Sequence, residues 1–414
     1  MTMHRHAVVV VGGGMVGIAT VLALRHAGIE TALVEPSPPA AWQQDDIDLR
    51  VSAISPASEN LIRALGAWEH ILRRRASPFE QMQVWEQPGR ECLSFSSAEF
   101  ASHRLGHIIE NNLLTAALWE RLGGAGIYAS SLESVDEVED GLWLQLADGS
   151  EIKTSLLIGA DGVGSRVRSL AGIAMSGSSY GQRGLVCHVR SEHEHGRVAR
   201  QRFLPDGPLA LLPLSDGRCS IVWSLPEREA QRLESVAVDE FSAELTAALH
   251  GAADQAPDSD LGALQVDSPR ASFPLAHRHA QCYRKGRVVL VGDAAHVVHP
   301  LAGQGGNLGL LDAATLAEEL GHAQQRGIAI GHEAVLARYE RRRRVDNQAM
   351  LAMTDTLQRL FASRSPWAEG IRRIGLGWVD RALPIKNALI RHAMYGPADG
   401  PALMRAPVAQ FEPA

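Results

Sequence analysis

Residues 7–35 read AVVVVGGGMVGIATVLALRHAGIETALVE. Ala7 to Val11 is a short, wholly apolar and largely β-branched run, the signature of a strand buried on both faces. It leads straight into Gly12-Gly13-Gly14-Met15-Val16-Gly17, a G-x-G-x-x-G pattern. Ile18 to Ala27 continues as an apolar helix with Gly28 as its stop, and Thr31 to Val34 forms a second strand ending in Glu35. A strand, a glycine turn, a helix and a strand closing on an acid make a dinucleotide-binding βαβ unit. Gly12 is expected to make the tight turn, Gly14 to admit a pyrophosphate, and Gly17 to let helix and strand pack closely. Glu35 would accept hydrogen bonds from the adenosine ribose. The fingerprint alone does not separate NAD from FAD. Residues 7–24 carry no formal charge, so a membrane span or a signal core is the rival. Three adjacent glycines would weaken a helix at mid-membrane, and no small-residue cleavage pattern stands out.

Two further corners repeat the theme. Gly292 to Asp312 reads GDAAHVVHPLAGQGGNLGLLD and follows the apolar run 287–291. A strand ends there in an acid, and a proline, a glycine-dense loop and a helix starting near Gln304 come next. The helix would aim its unpaired N–H groups and positive dipole end at the loop. Gly303, Gly305 and Gly306 would let backbone approach a flat ring where a Cβ would collide. The second corner is Leu156-Leu-Ile-Gly-Ala-Asp161-Gly162-Val-Gly-Ser165-Arg166-Val-Arg168, a strand ending in an acid–glycine pair and running into a helix with two arginines.

With three such corners on one chain, the sequence resembles the single-component FAD-dependent aromatic hydroxylases. His299-Pro300-Leu-Ala-Gly-Gln-Gly-Gly-Asn307-Leu-Gly narrows the resemblance to the ubiquinone-biosynthesis hydroxylases. Leu49-Arg-Val-Ser-Ala-Ile54, Arg75-Ala-Ser, Gly106-His-Ile-Ile-Glu-Asn111 and Cys219-Ser-Ile-Val-Trp223 resemble the bacterial 2-octaprenylphenol hydroxylases of that pathway. The similarity extends from about the first strand to the Arg341 region and weakens beyond it. The resemblance implies an α/β fold: a Rossmann-like FAD-binding domain, an interleaved mixed β-sheet substrate domain and C-terminal helices. It places FAD-binding segments at 1–74, 102–180 and 278–340, substrate-domain segments at 75–101 and 181–277, and a helical region at 341–396.

The resemblance also implies roles. Pro300 and the stretch Gly303, Gln304, Gly305, Gly306, Asn307 and Leu308 would contact the flavin ring. Gly292 and Asp293 would hold the ribityl or pyrophosphate end, Asp161 would sit near the pyrophosphate, and Arg50 and Asn111 would lie beside the cofactor. NAD(P)H would be a co-substrate at the one active site, since no second G-x-G-x-x-G follows a strand. O2 would supply the oxygen through a flavin C4a-hydroperoxide, and the acceptor would be a polyprenylated phenol. No catalytic base can be named: Tyr180, His188 and His299 are the groups that could meet a phenolic proton, and each has a structural reading as well. Hydroxylation at another ring position, a soluble phenol, or a low-turnover flavin-carrying subunit of a biosynthetic complex stay open.

Composition sets the remaining bounds. The chain has 414 residues, 45% hydrophobic content and a formal net charge of −7, which gives no footprint for nucleic acid. Cys92, Cys187, Cys219 and Cys282 are far apart and form no C-x-x-C, and His188, His193 and His195 lack metal-ligand spacing. A reduced cytoplasmic protein without structural metal is expected, forming a homo-oligomer and peripheral at the inner membrane. From Arg338 to Arg391 there are twelve Lys/Arg against five Asp/Glu. Ile371, Ile374, Trp378, Leu383 and Leu389 interleave there with Arg372, Arg373, Arg381 and Lys386, a mixture suited to anionic lipid or to a protein partner. The run Arg341–Arg344 reads as a solvated helix face. Local readings expect one helix from Ser58 to Leu72, one from Asn112 to Leu122, an acidic helix over 226–250, and turns at Asp148-Gly149, Asp206-Gly207 and Asp216-Gly217.

Overall fold

The computed structural model describes residues 3–45, 47–86, 92–100, 102–124, 126–250, 261–298, 305–362, 391–392, 394–397 and 399–405. Its helices are α1 Met15–His26, α2 Pro56–Ala64, α3 Trp68–Arg74, α4 Asn111–Leu122, α5 Arg166–Leu170, α6 Glu227–Ser235, α7 Val238–His250, α8 Gly305–Gln325 and α9 Glu333–Ala362. Among the described residues no helix is long and apolar enough to cross a membrane.

The strands form three sheets. The first runs in the order Arg284–Lys285, Val288–Leu290, Glu151–Gly159, Met3–Val11, Thr31–Val34, Ile127–Tyr128. Met3–Val11 lies at its centre and pairs in parallel with both neighbours, with Val8 opposite Leu156 on one side and Thr31 on the other. Parallel pairing needs crossover connections, and α1 supplies the one from Met3–Val11 to Thr31–Val34. Val8, Val9 and Val10 are wholly buried because helices cover the sheet. Helix α1 packs on α8 and α4 and is apolar nearly all round, as a helix inside a layered core must be. Gly141–Leu146 and Leu132–Val138 extend this sheet as an antiparallel flap, and Asp148 and Gly149 turn the chain back into Glu151–Gly159.

The second sheet has nine strands. Its spine is His296–Val297, Ala271–Ala280, Met175–Ser191, Cys219–Pro226, Gly207–Pro213, Val198–Leu204, Gln81–Glu86 and Cys92–Ser96. Strands from residues 81–96 and from residues 175–297 therefore share one sheet, although α4 and four strands of the first sheet lie between them in sequence. One face of this sheet, with Leu185, Cys187, Ile221 and Trp223, packs under α6 and α7. The opposite face carries Val186, His188, Ser220 and Val222 by the pairing register. A small third sheet, Val51–Ile54, Gly106–Glu110 and Ser77–Phe79, joins the two halves.

Three local expectations need correction. The helix read over 58–72 is two, α2 and α3, because Gly66 takes a left-handed conformation (φ +77°) between them. The acidic stretch is likewise two helices, broken at Val236 where the backbone turns extended. The run Arg341–Arg344 is not a solvated face. Arg343 is fully buried, and Arg342 is held by Glu318 and Glu319 at 2.7 Å each. Four consecutive helical positions sweep most of the way round the axis at 3.6 residues per turn, so at least one must face inward in a packed helix.

Candidate cofactor site

The first glycine corner is built by contacts that leave no room for side chains. Gly12 has φ +109°, and a Cβ there would lie 2.4 Å from the Ala160 carbonyl oxygen and 2.8 Å from the Asp161 Cα. A Cβ on Gly17 would lie 1.9 Å from the Gly12 carbonyl oxygen. Gly14 differs: it caps α1, and a Cβ there would meet nothing within 4 Å. The α1 N-terminus thus opens onto free space, the arrangement that receives a phosphate. Glu35 Oε2 accepts from the Gly13 N–H at 2.5 Å and Oε1 from the Ser37 N–H at 2.8 Å. Trp119 Nε1 donates to the Gly13 carbonyl at 2.8 Å, which pins the turn from the α4 side.

The second corner abuts the first through Asp161. Its carboxylate accepts from Ser165 Oγ (2.5 Å), from the Arg166 N–H (2.6 Å) and from the Val167 N–H (3.1 Å). Asp161 therefore caps α5 with both oxygens, and its Cα, rather than its charge, borders the turn at Gly12. Arg168 extends from α5 and donates to the Ala294 carbonyl at 3.0 Å, tying the second corner to the third.

The third corner meets the first through Val16. Gly292 (φ +59°) would place a Cβ 3.1 Å from Val16 Cγ1, and Gly309 on α8 would place one 2.6 Å from Val16 Cγ2. Asp293 is exposed, yet protein packed around it desolvates its carboxylate. That desolvation pushes its carboxyl pKa up, against the charges of His296 and Arg50. Asn307 anchors the first turn of α8: its Nδ2 donates to the Ala53 carbonyl (2.7 Å) and its Oδ1 accepts from the Ser55 N–H (3.0 Å). Gly306 faces Met15 and Ser52, Gly305 faces Val298, and Leu308 is buried. Ser52 Oγ donates to Asn111 Oδ1 at 2.7 Å, and Asn111, the first residue of α4, donates its N–H to the Arg50 carbonyl at 3.0 Å. The exposed Arg50 guanidinium lies 5.7 Å from the Phe273 ring centre, so the nine-stranded sheet borders the same cleft. Pro300, Gly303 and Gln304 lie outside the described residues, as does His299.

The structure adds residues that sequence reading passed over. Asp312, wholly buried on α8, accepts from the Gly292 N–H (3.0 Å), His296 (2.5 Å), Arg343 (2.7 Å) and Asn347 (3.2 Å). Burial alone would raise its pKa, but the His296 and Arg343 charges prevail and hold it at about 2. Tyr283 joins the cluster by hydrogen bonds to His279 (2.8 Å) and Asn347 (3.2 Å). Burial and the neighbouring His296 charge lower the His279 pKa to about 4. The one available signal was an acid within the largely apolar stretch 308–317 of α8. Of the groups considered for a phenolic proton, Tyr180 is half-buried beside His277, and His188 is wholly buried on the nine-stranded sheet.

The profile of the FAD binding domain family matches residues 5–354. The ubiquinone hydroxylase UbiL of Rhodospirillum rubrum is 37% identical over 406 residues, which cover 96% of this chain and 92% of that protein. The 3-demethoxyubiquinol 3-hydroxylase of Escherichia coli is 35% identical, covering 95% of this chain and 100% of that protein. This chain belongs to the ubiquinone-biosynthesis family of FAD-dependent hydroxylases. As a member it is an FAD-dependent aromatic-ring monooxygenase. The family likeness runs on past the Arg341 region. The fold is shared with p-nitrophenol 4-monooxygenase of Pseudomonas putida, at TM-score 0.72 and 21% identity with 94% and 97% covered. It is shared too with HpxO of Klebsiella pneumoniae, a structure holding FAD and uric acid, at TM-score 0.71 and 21% identity with 95% and 97% covered. The residues present fit FAD. Gly14 leaves space at a helix N-terminus, the three corners touch one another, and the first turn of α8 is held open by Asn307 and by small residues.

Proposed function

We propose that this enzyme hydroxylates the aromatic ring of a polyprenylated phenol in ubiquinone biosynthesis, with NAD(P)H and O2 as co-substrates. The observation that carries the reading is the convergence of three corners distant in sequence: Gly12 on Ala160 and Asp161, Val16 on Gly292 and Gly309, and Arg168 on Ala294. Relatives matched along nearly the whole chain are named a ubiquinone hydroxylase and a 3-demethoxyubiquinol 3-hydroxylase, which supports the substrate class.

Bound FAD would supply the redox chemistry, through which two electrons from NAD(P)H allow one oxygen atom of O2 to enter the ring and the other to leave as water. The chain's own residues bind, orient and shield. Gly12, Gly14 and Gly17 bring the α1 N-terminus to the pyrophosphate, and Glu35, each of whose oxygens already accepts one backbone N–H, uses its remaining lone pairs to accept from the adenosine ribose. Asp161 works through α5, whose start it fixes beside Gly12. Asp293 takes the ribityl hydroxyls; its raised pKa falls once those hydroxyls donate to it. Arg50 and Asn111 flank the cofactor. Pro300 and residues 303–308 would contact the flavin ring, where the α8 dipole would favour negative charge by about 0.3–2 kcal/mol. The mixed-sheet face bearing Phe273, Val186 and Val222 provides an apolar floor that keeps water from the reacting ring and positions the phenol. Residues 1–74, 102–180 and 278–340 serve the cofactor, and residues 75–101 and 181–277 the substrate. Residues 341–396 meet the membrane or a partner, in a homo-oligomer peripheral to the inner membrane.

The deciding experiment expresses the chain in ubiquinone-deficient hydroxylase mutants and identifies the quinone formed by mass spectrometry and NMR. Restored ubiquinone supports the reading and the mutant rescued identifies the ring position; no hydroxylated product in any of the hydroxylase mutants refutes it. NAD(P)H oxidation that no phenol stimulates would indicate a flavin-carrying subunit instead. Asp293→Ala should lose FAD, and stoichiometric FAD in that variant would refute the role given to Asp293. For residues 341–396, liposome flotation of the intact chain against one ending before Ser365 decides, with equal flotation ending the membrane role.

A further inference from the structure

Asp312 is a charged residue where packing asks for none. Its neighbours on α8, Leu308, Leu311 and Leu316, are buried, and a leucine at 312 would complete the same apolar surface. An unpaired carboxylate in such a place is strongly unfavourable, so its presence is tied to the donors around it.

Those donors divide into two pairs. Oδ2 accepts from the Gly292 N–H and from His296 Nε2. Oδ1 accepts from Arg343 Nε and Asn347 Nδ2, both on α9. Arg343 is itself fixed at its remaining nitrogens, by Asp346 Oδ2 and Asn347 Oδ1 at 2.8 Å each. One carboxylate oxygen thus grips the turn at both ends, at residue 292 and at residue 296, and the other oxygen ties that grip to α9. Asp293 stands inside the gripped turn and is exposed.

We propose that Asp312 is a positioning residue that sets the Asp293 turn for the flavin-bearing half of FAD. The proposal rests on the assignment of Asp293 to the ribityl chain. It makes a specific demand. Asn at 312 keeps the size of the side chain but has a single acceptor oxygen, so two of the four donors must then face an NH2 group. The turn or the α9 pair lets go in either orientation. The adenosine end of the dinucleotide, held at Gly12, Gly14 and Glu35, does not depend on this carboxylate.

The test titrates full-length, flavin-freed protein with FAD and separately with ADP, following flavin fluorescence and calorimetry. Asp312→Asn is expected to raise the FAD dissociation constant at least tenfold and to leave that of ADP within about twofold. His296→Ala, which removes only the far end of the grip and spares the Asp312–Arg343 pair, is expected to show the same selective loss. Unchanged FAD affinity in the two variants overturns the proposal. Parallel loss of FAD and ADP in both also overturns it, since the cluster would then serve only the fold. Asp293→Ala is run beside them. Retained FAD there with lost FAD in Asp312→Asn refutes the ribityl assignment while leaving the gripped turn as a cofactor contact.

Discussion

Replacing His188 with leucine should flatten the acid sensitivity of this protein. His188 is wholly buried on the strand Met175–Ser191, opposite Ser220, and its backbone N–H is bound by Ser268 Oγ at 2.7 Å. Neither ring nitrogen has a hydrogen-bond partner among the described residues. Burial, then the Arg218 charge, lower its pKa from 6.5 to about 4, against the pull of Asp216, Asp267 and Asp48. The unfolded chain therefore binds a proton below pH 6.5 that the native chain refuses until near pH 4. Stability from this group is complete above 6.5 and drains as pH falls toward 4. The 2.5-unit gap between those values corresponds to roughly 3 kcal/mol in full, and to about 2 kcal/mol by pH 5. Urea unfolding near pH 7.5 and near pH 5 gives the loss for the parent and for His188→Leu. The parent should lose about 2 kcal/mol more than the variant, and the two should differ by less than about 1 kcal/mol at the higher pH, because an apolar side chain leaves no orphaned polar atom. His279 carries a similar depressed pKa in both proteins and cancels in the comparison. Parallel losses would refute the reasoning.

Other substitutions follow from the same geometry. Gly17→Ala puts a methyl group 1.9 Å from the Gly12 carbonyl oxygen, so the purified variant should be colourless, as its visible spectrum would show. Arg343→Met leaves the Asp312 charge buried with three of its four donors; the expected cost is about 3 kcal/mol in urea unfolding at neutral pH, the low end for a broken buried pair. Asp161→Ala removes three acceptor contacts at the start of α5 and should cost about 1–2 kcal/mol by the same measurement.

The two ends of the cofactor site were legible to different degrees. At residues 7–35 the strand, glycine turn, helix and second strand follow local rules, and the structure has them at Met3–Val11, Met15–His26 and Thr31–Val34. Local rules suffice there because a buried parallel strand must be apolar throughout and a close backbone approach admits only glycine. Asp161 shows a subtler limit. Its motif is visible in sequence, but the motif cannot say that both carboxylate oxygens are already taken by the α5 N-terminus. Hydrogen bonds to the next few residues compete with a ligand for the same lone pairs, and only coordinates reveal which prevails. The break at Gly66 was missed for the opposite reason: the apolar spacing continues across it, and one left-handed residue changes the axis without changing the pattern.

The arginines of α9 carry the argument furthest from sequence. Four consecutive cations look like solvent-facing charge, since burying even one demands a partner whose position no local pattern reports. That partner, Asp312, lies on a different helix 31 residues earlier in the chain, and the pair exchanges a 2.7 Å hydrogen bond out of contact with water. Each member leans on the other: removing the acid leaves the buried guanidinium to Asp346 and Asn347, and removing the arginine leaves the buried carboxylate to His296, Asn347 and the Gly292 N–H. Because the same carboxylate also holds the turn at Gly292, the charge that appears least functional in the sequence is joined to the cofactor site by two hydrogen bonds. Nearby Arg341, exposed on the same helix, has no such link. Arg341→Met should therefore leave stability within about 0.5 kcal/mol of the parent, the usual range for a surface position. Comparing Arg341→Met and Arg343→Met by urea unfolding tests this directly, because they make the same chemical change two residues apart. Equal costs would mean that the position of the charge, and so the buried pair, is irrelevant.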